Sequence, residues 1–288
     1  MISDLSIAFI GGGTMAGAMI KGLLRHELID SDRIIVAEPR AERGQELHET
    51  YGVRWTDNNA EAAEDRDVVI LAVKPQVMAQ VLKDLHGSIR SRALVISIAA
   101  GVPIKTIADG LAHAAVARAM PNTPAQVGEG ITVWTATDKV TEAQISQTNT
   151  ILGAFGEVVD VSNESFLDMA TALSGTGPAY VLLFMEAMID TGVHLGFSRR
   201  VAEKLVLQTM HGTIEYARQS PRHPARLRNE VTSPGGTTAE ALYQLEKGGL
   251  RTVVARGIWA AYQRSVALGQ GGDSSSRLSG RSPDDNGK

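Results

Sequence analysis

A glycine-rich turn near the start of the chain has the spacing of a phosphate-binding site. Gly11, Gly13 and Ala16 fit the pattern G-x-G-x-x-A, between a predicted strand at 6–10 and a predicted helix at 14–25. In this pattern the first glycine permits a tight turn, the second lets the backbone approach a pyrophosphate, and a small third residue lets the helix pack on the strand. The N-terminus of the helix attracts the negative charge. The spacing therefore predicts a dinucleotide-binding turn, and an unliganded surface turn is the alternative.

The residues after the second predicted strand bear on which dinucleotide is bound. Glu38 lies 22 residues beyond Ala16, about where an acidic residue binds the ribose hydroxyls of NAD. Arg40 and Arg43 follow closely, and guanidinium groups at this place suit the 2′-phosphate of NADP. The local sequence thus supports both NADPH and NADH and leaves the preference open. A solvated helix start without a ligand is the alternative.

Other candidate ligand residues follow predicted strands at their carboxyl ends, where open α/β sheets bind ligands. Small residues there leave room for a cofactor, and the segment M-P-N-T-P is too constrained by proline to continue a strand. A rigid loop is the alternative for that segment. The candidates are Ala72, Val73, Lys74 and Pro75 after one strand, Ala99, Ala100 and Gly101 after the next, and Asn122 and Thr123 within M-P-N-T-P.

A second candidate anion site lies in the segment 231–240, V-T-S-P-G-G-T-T-A-E. Its Pro-Gly-Gly turn precedes a predicted helix that opens with a capping box of Thr237 and Glu240. Several backbone N–H groups then point outward and can bind an anion such as a substrate carboxylate. An ordinary capped helix is the alternative. The hydroxyl groups that add donors are those of Thr232, Ser233, Thr237 and Thr238.

A further turn of small residues at 173–178, L-S-G-T-G-P, has two interpretations. It either lets the backbone approach a ligand or lets two helices cross.

Residue types that are missing exclude several kinds of chemistry. The chain has no cysteine, which excludes disulfides, thiolate zinc sites, iron–sulfur clusters and a thiol nucleophile. Its 7 histidines show no i, i+4 pair or acidic partner at metal-ligand spacing, so no metal is expected. Because no G-x-S-x-G elbow and no Walker lysine occur, hydrolysis and phosphoryl transfer are disfavoured. A dinucleotide with a second anion site favours hydride transfer.

The elements that position these residues divide the chain into two halves. With 288 residues, 43% apolar and 21% charged, the chain has the composition of a globular protein of about two domains. In the first half, Val- and Ile-rich strands alternate with helices, an order that predicts a parallel sheet covered on both faces. After residue 161 only helical patterns remain. The predicted strands lie at 6–10, 33–37, 67–73, 94–98, 115–119, 131–135 and 158–161, and the predicted helices at 14–25, 40–51, 75–85, 103–111, 141–155, 164–173, 178–195, 199–220, 238–247 and 250–268.

These patterns predict an α/β fold with three regions. Residues 1–162 form a Rossmann-type dinucleotide-binding domain, 163–268 an all-helical bundle that contains the second candidate anion site, and 269–288 a flexible tail rich in Gly, Ser and charge. Wide apolar stripes such as YVLLFMEAMI would leave apolar surface exposed in a monomer, so we expect oligomerisation through the helical half.

Charge and hydropathy limit which classes of partner are expected. The formal charge of -4 gives no reason to expect a nucleic-acid binder, so the expected partner is a small molecule. No run approaches the roughly 18 apolar residues of a bilayer span, and no membrane association is expected. Because the N-terminus MISDLSIAFIGGG lacks the pattern of a signal peptide, we expect a cytoplasmic protein.

Segments along the chain together resemble the pyrroline-5-carboxylate reductases. The resemblance covers about residues 7–268 and is most specific in the last of these segments: FIGGGTMAGAMIKGL, LAVKPQ, SIAAGV, RAMPNTPAQVGEG, ALSGTGPAY and LRNEVTSPGGTTAEALYQLE. It implies reduction of L-1-pyrroline-5-carboxylate to L-proline by NADPH or NADH, the last step of proline biosynthesis. It also implies a two-domain subunit whose helical domains interlock as a homodimer, often assembled further.

Carried onto this chain, the resemblance implies roles for particular residues. A carboxylate-binding loop falls on the second anion site, and a hydroxyl near the imine nitrogen falls on Thr238, the implied catalytic residue. Glu38 departs from the neutral or basic residue of many relatives, which leaves the cofactor preference open. The implied substrate residues are Ser233, Gly235, Gly236, Thr237 and Thr238, and the implied cofactor residues are Gly11, Gly13, Thr14, Met15, Asn58, Ala72, Lys74, Pro75 and Ala99.

Two other functions remain as alternatives. One is a β-hydroxyacid dehydrogenase-like oxidoreductase, in which a lysine acts on an alcohol. The other is a non-catalytic dinucleotide-sensing protein, because a fold alone never proves chemistry.

Overall fold

A sheet of eight strands organises the first part of the chain in the computed structural model, which describes residues 2–269. Its strands are β1 (Ile7–Ile10), β2 (Ile34–Ala37), β3 (Arg54–Thr56), β4 (Val68–Leu71), β5 (Leu94–Ser97), β6 (Val116–Met120), β7 (Gly130–Ala136) and β8 (Gly156–Asp160). They lie in the order β3-β2-β1-β4-β5-β6-β7-β8. All neighbouring pairs are parallel except β6 with β7, which is antiparallel.

The strand order creates a switch point between β1 and β4, because the chain moves outward from β1 to β3 and then crosses back to β4. Open α/β sheets bind ligands in the crevice beyond the carboxyl ends of the strands at such a point. The register pairs Ile10 with both Ala37 and Leu71, so the segments that follow β1, β2 and β4 leave the sheet side by side. These segments contain the predicted glycine turn, Glu38 and Ala72. The predicted Rossmann-type sheet is confirmed.

Helices cover both faces of the sheet. They are α1 (Thr14–Arg25), α2 (Ala41–Tyr51), α3 (Asn59–Ala63), α4 (Met78–Asp84), α5 (Ile104–Leu111), α6 (Glu142–Gly153) and α7 (Ser165–Ala170). Every residue of β1, β2, β4 and β5 is buried, as expected for strands that are apolar throughout. One core cluster, which includes Phe9 and Met19, lies on the α1 and α6 side, and a second, which includes Ile10 and Ile107, lies on the α4 and α5 side.

The second part of the chain is helical, as predicted. After a π-helical turn at Thr171–Gly175 come α8 (Gly177–His194), α9 (Arg199–Arg218), α10 (Pro224–Glu230), α11 (Thr237–Lys247) and α12 (Leu250–Gly269). Large apolar side chains on these helices are exposed in the single chain, among them Leu183 at 67% and Trp259 at 61%. Exposed apolar surface of this extent is typical of a face that another chain covers.

One apolar stretch differs from the expectation about membrane spans. Ser165–His194 is long and apolar enough to cross a bilayer by length and composition, which contradicts the expectation that no run approaches that limit. Charged residues and glycines interrupt the apolar runs of the sequence, but the helical stretch Ser165–His194 meets the limit by its mean hydropathy of 1.3. A single stretch of this kind is weak evidence for a membrane, and 6% of its window is buried in the single chain.

Contacts divide the chain into two compact units. Among the described residues, one unit contains 2–175 together with 261–269, and the other is Thr176–Ala260. The first unit extends past the predicted boundary at residue 162 because α7 packs on β6 and β7. The last turns of α12 also belong to it, and the Ser265 hydroxyl donates to Asp168 Oδ1 at 2.7 Å. Apart from Gly269, the predicted tail at 269–288 lies outside the described residues.

Three short elements were not predicted from the sequence. Strand β3 has only three residues and begins with an exposed arginine, so it lacks the apolar pattern of the other strands. Helix α3 has five residues, and Asn58 caps its start. Helix α10 begins with Pro224 and is rich in charge, which resembles a loop. In each case the element is too short for its periodicity to be recognised.

Candidate active site

The glycine turn has the backbone that a pyrophosphate requires. Gly11 has φ of +99°, which favours glycine, and a Cβ there would lie 2.9 Å from the carbonyl oxygen of Ala72. Gly13 is the N-cap of α1 and provides no side-chain cap, and a Cβ there would meet nothing within 4 Å. The first N–H groups of a helix have no intrahelical partner. They are therefore open to an anion that approaches over Gly13.

Glu38 lies directly beneath this turn. Its Oε2 accepts a hydrogen bond from the N–H of Gly12 at 3.1 Å, and its Oε1 accepts hydrogen bonds from the N–H and Nε of Arg40 at 3.1 and 2.8 Å. Burial raises the pKa of the Glu38 carboxyl, but the hydrogen bonds from Arg40 and Gly12 outweigh burial and hold that pKa below its usual value. Glu38 is therefore an ionised carboxylate that ties the turn to the end of β2.

A basic cavity of about 590 Å³ lies beside the turn. Its size is within the range of small-molecule sites. Cationic side chains line it from both sides of the switch point, and its described lining includes no carboxylate. The residues that line the cavity are Gly13, Thr14, Gly17, Ala18, Lys21, Arg40, Arg43, Tyr51, Lys74 and Gln126.

Many of the predicted cofactor residues thus lie together. Gly13, Thr14, Arg40 and Lys74 line the basic cavity. Gly11 lies against the backbone of Ala72 and the side chain of Val73, and Glu38 contacts the turn at Gly12. The geometry and the charge of this group fit the phosphates of a dinucleotide.

Other predicted cofactor residues have structural contacts away from the basic cavity. Asn58 Oδ1 accepts from the N–H groups of Ala60 and Glu61 as the cap of α3, and Asn58 lines a different, more acidic cavity. Asn122 is buried, donates to the carbonyl of Ser174 and accepts from the N–H of Ile131.

Three further residues that were predicted to contact the cofactor have structural roles of their own. Met15 packs against the core, Pro75 begins a turn of 3-10 helix, and Ala99 is buried just after β5. A contact between these residues and a cofactor stays a prediction.

Other residues of the basic cavity were not predicted from the sequence, among them Lys21 and Gln126. Lys21 lies on the same face of α1 as Thr14 and Gly17, and its Nζ donates to the carbonyl of Gln126 at 3.5 Å. The helical spacing of Thr14, Gly17 and Lys21 could have revealed this face. Gln126 lines the cavity because the loop after β6 packs on α1. No local sequence pattern indicates that packing.

The segment 232–238 differs from the prediction in how its helix begins. The N-cap of α11 is Gly236 and Thr237 is the first helical residue, so the expected capping box of Thr237 and Glu240 is wrong. The Glu240 side chain instead accepts from Gln244 at 2.9 Å. Because a glycine N-cap has no side-chain acceptor, the first N–H groups of α11 lack a capping partner from this residue. The start of α11 therefore has more open donors than predicted.

The turn before α11 is held by its own backbone. The N–H of Gly236 donates to the carbonyl of Ser233 at 3.0 Å, and Gly235 has φ of +70°. The hydroxyl of Thr232 donates to the carbonyl of Arg228 at 2.7 Å, which fastens the turn to α10. A Cβ at Gly236 would lie 2.5 Å from Ser233 Oγ, so only glycine fits there without a shift. Thr238 is partly buried in the first turn of α11.

Groups of His, Asp or Glu that could hold a metal ion are not found within residues 2–269.

Comparisons with known families match both parts of the chain. Residues 164–268 match the family model for pyrroline-5-carboxylate reductase dimerisation. Residues 6–101 match the model for coenzyme F420-dependent NADP oxidoreductases. The sheet part and the helical part thus match separate models.

Curated relatives match the chain over nearly its whole length. A pyrroline-5-carboxylate reductase of Synechocystis is 44% identical over 93% of this chain and 99% of its own. The enzyme of Pseudomonas aeruginosa is 40% identical over 93% and 98%.

Solved structures agree with the curated relatives. Pyrroline carboxylate reductase of Plasmodium falciparum, with NADP bound, has a TM-score of 0.85 and 32% identity over 93% of this chain and 99% of its own. The Coxiella burnetii enzyme has a TM-score of 0.85 and 38% identity over 92% and 98%. On the strength of these matches, this chain belongs to the pyrroline-5-carboxylate reductase family and is an NAD(P)H-dependent oxidoreductase.

Proposed function

We propose that the chain reduces L-1-pyrroline-5-carboxylate to L-proline with its two glycine-capped helices as the anion sites. The start of α1 binds the pyrophosphate of NADPH or NADH, and the start of α11 binds the substrate carboxylate. The observation that carries this assignment is that both helices begin at a glycine N-cap without a side-chain acceptor. Open N–H groups at both starts favour negatively charged ligands.

The segment 232–238, here called the substrate loop, acts first by orienting the substrate. The substrate carboxylate accepts hydrogen bonds from the N–H groups of the first turn of α11, and the hydroxyl of Ser233 lies in the same turn. Because the turn is fastened by the bonds of Gly236 and Thr232, these donors are in place before the substrate arrives. Holding both reactants in this way makes the transfer effectively unimolecular, a gain that can reach about 7 kcal/mol.

Thr238 acts on the nitrogen of the ring. Reduction of a cyclic imine adds a hydride to carbon and a proton to nitrogen, and the bound dinucleotide supplies the hydride. The hydroxyl of Thr238 hydrogen-bonds the ring nitrogen and relays to it a proton taken up from solvent, so that the hydroxyl is restored in the same step. This chemistry needs neither a metal nor a strong base. It therefore agrees with a substrate loop whose side chains are hydroxyl groups rather than titratable groups.

The assembly proposed for this enzyme is a homodimer formed through the helical domain at 163–268. Support comes from the dimerisation family match and from exposed apolar side chains on α8 and α12. Dimers can assemble further. The second copy covers the apolar face of Ser165–His194, so we propose neither a membrane nor a nucleic acid as a partner. The proposed location is the cytoplasm, since the chain has no cysteine and depends on no disulfide.

The test is an assay of the purified chain with L-1-pyrroline-5-carboxylate and NADPH or NADH side by side. We expect substrate-dependent oxidation of the dinucleotide and formation of L-proline. Saturable dinucleotide binding without any turnover would favour a dinucleotide-sensing protein instead. Oxidation of a β-hydroxyacid in place of imine reduction would favour the other dehydrogenase class.

A further inference from the structure

We infer that Arg40 selects NADPH over NADH in this enzyme, and that Glu38 holds Arg40 in place instead of binding the adenosine ribose. The inference rests on the proposed dinucleotide site. It matters because an acidic residue after the second strand normally indicates NAD. Four observations support the opposite conclusion for this chain.

The first observation is that the Glu38 carboxylate is already saturated with donors. Beyond its bonds to Gly12 and to the N–H and Nε of Arg40, it accepts from Arg40 Nη2 at 3.2 Å. A carboxylate has about four acceptor positions, and all of these are engaged by the protein. The side chain is only 5% exposed. A ribose hydroxyl would have to displace a charged or backbone donor to reach it.

The second observation is that the Glu38 backbone is fixed on both sides. Its N–H donates to the carbonyl of Thr56 at 3.0 Å, and its carbonyl accepts from Trp55 Nε1 at 2.9 Å. Strand β3 therefore clamps the residue at the end of β2. A rotation that would present the carboxylate to the cavity is opposed by these bonds together with those of the side chain.

The third observation is that Arg40 lies where the ribose of the adenosine is expected. In Rossmann-type sheets the residue after the second strand lies beside this ribose. Arg40 directs Nε and Nη2 toward Glu38, while its side chain is 69% exposed and lines the basic cavity. Guanidinium is planar and binds phosphate by paired hydrogen bonds, so the edge that faces away from Glu38 suits a 2′-phosphate.

The fourth observation is the charge of the cavity. Lys21, Arg43 and Lys74 line it together with Arg40. Arg40 is paired with Glu38, and Arg43 is paired with Glu46 at 2.7 Å, so the net positive charge of the lining comes from Lys21 and Lys74. Arg43 is fixed to the turn, because its Nε donates to the carbonyl of Gly12 at 2.8 Å. A 2′-phosphate adds a charge of about −1.5 to −2 to that of the pyrophosphate, and Arg40 and Arg43 each keep N–H donors beyond those engaged by the carboxylates.

The experiment compares steady-state kinetics with both dinucleotides in the wild type, Arg40→Ala and Glu38→Gln. Arg33→Ala is the control, because Arg33 precedes β2 at the opposite end of the strand and donates to the carbonyl of Asp4. We expect the wild type to prefer NADPH. Arg40→Ala should raise the KM for NADPH by about tenfold, the effect of one charge-assisted hydrogen bond, and the KM for NADH much less.

Glu38→Gln separates the two roles of the acidic residue. A ribose ligand would be revealed by a selective rise of about tenfold in the KM for NADH. If Glu38 only positions Arg40, Glu38→Gln shows no such selective rise. Removal of the carboxylate then changes how the free energy of unfolding depends on pH on the acid side. Thermal unfolding of each variant identifies any that fail to fold.

A direct binding measurement does not depend on turnover. Calorimetry with adenosine 2′,5′-bisphosphate and with AMP should show a preference for the bisphosphate that Arg40→Ala removes and Arg33→Ala keeps. The inference is overturned if the wild type prefers NADH, if Arg40→Ala raises both KM values equally, or if AMP binds as well as the bisphosphate. If the bisphosphate binds selectively but no L-proline forms, the inference stands and the proposed function fails.

Discussion

Two substitutions in the glycine turn separate its structural role from its role toward the cofactor. Gly11→Ala forces alanine into φ of +99° and brings a Cβ to 2.9 Å from the carbonyl oxygen of Ala72. A strained backbone of this kind costs on the order of 1–3 kcal/mol, and the close contact adds to it. At position 13 the backbone has φ of -68°, and the Cβ that Gly13→Ala adds would meet no atom within 4 Å. Its cost as an N-cap is below about 1 kcal/mol.

These magnitudes translate into different results for the two variants. In a chain of this size 1 kcal/mol shifts the Tm by about 2–4 °C, so Gly11→Ala should lower the Tm by about 5 °C or more. Gly13→Ala should change the Tm by less than about 3 °C. Its methyl group nevertheless occupies the space through which a pyrophosphate approaches, so the KM for both dinucleotides should rise by about tenfold.

The assay is thermal unfolding at fixed protein concentration, followed by steady-state kinetics with each dinucleotide. Fixed concentration is needed because dimer formation makes the Tm depend on it. A Gly13→Ala variant that folds normally and keeps its KM values would refute the assignment of this turn to the pyrophosphate. A Gly11→Ala variant as stable as the wild type would refute the argument from φ and the close contact.

Four further predictions test other parts of the site. Thr238→Ala should lower kcat by about tenfold, the loss of one hydrogen bond to the reacting nitrogen, while Thr238→Ser keeps the hydroxyl and most of the rate; unchanged kinetics in Thr238→Ala would exclude the role. Gly236→Val should raise the substrate KM or abolish turnover, because its Cβ would lie 2.5 Å from Ser233 Oγ, with calorimetric binding of adenosine 2′,5′-bisphosphate as the internal control. Because the pKa of Glu38 is held below its usual 4.5, the wild type should lose free energy of unfolding as the pH falls below about that value, and Glu38→Gln should lose less in urea titrations across this range; parallel curves would contradict the prediction. Leu183→Glu places a charge on an apolar side chain that is 67% exposed in the single chain, and should shift the sedimenting species from dimer to monomer; a dimer that persists would place the interface elsewhere.

The features that the sequence predicted are those fixed by local chemistry. The turn at Gly11 and Gly13 was predictable because its conformation depends on residue type, and the buried strands because both of their faces are apolar. The resemblance then identified the family, the reaction and the use of NADPH or NADH, which the comparisons confirm. The dimerisation match supports the predicted homodimer.

The features that the sequence did not predict depend on contacts between distant residues. Nothing local indicates that Glu38 turns inward to Gly12, or that Trp55 and Thr56 clamp its backbone, because β3 itself was not recognised. The capping box at Thr237 failed for a different reason. Glycine and threonine are both favoured as N-caps, and the sequence G-G-T-T places them side by side, so the helix began one residue earlier than the pattern indicated.

The most direct test of the two anion sites is a crystal structure of the enzyme with NADP⁺ and L-proline bound. We predict that the pyrophosphate lies over Gly13 at the start of α1. The carboxylate of L-proline should accept hydrogen bonds from the N–H groups of Thr237 and Thr238, with the Thr238 hydroxyl at its ring nitrogen. An L-proline carboxylate bound to other residues, with the start of α11 left to solvent, would contradict the account.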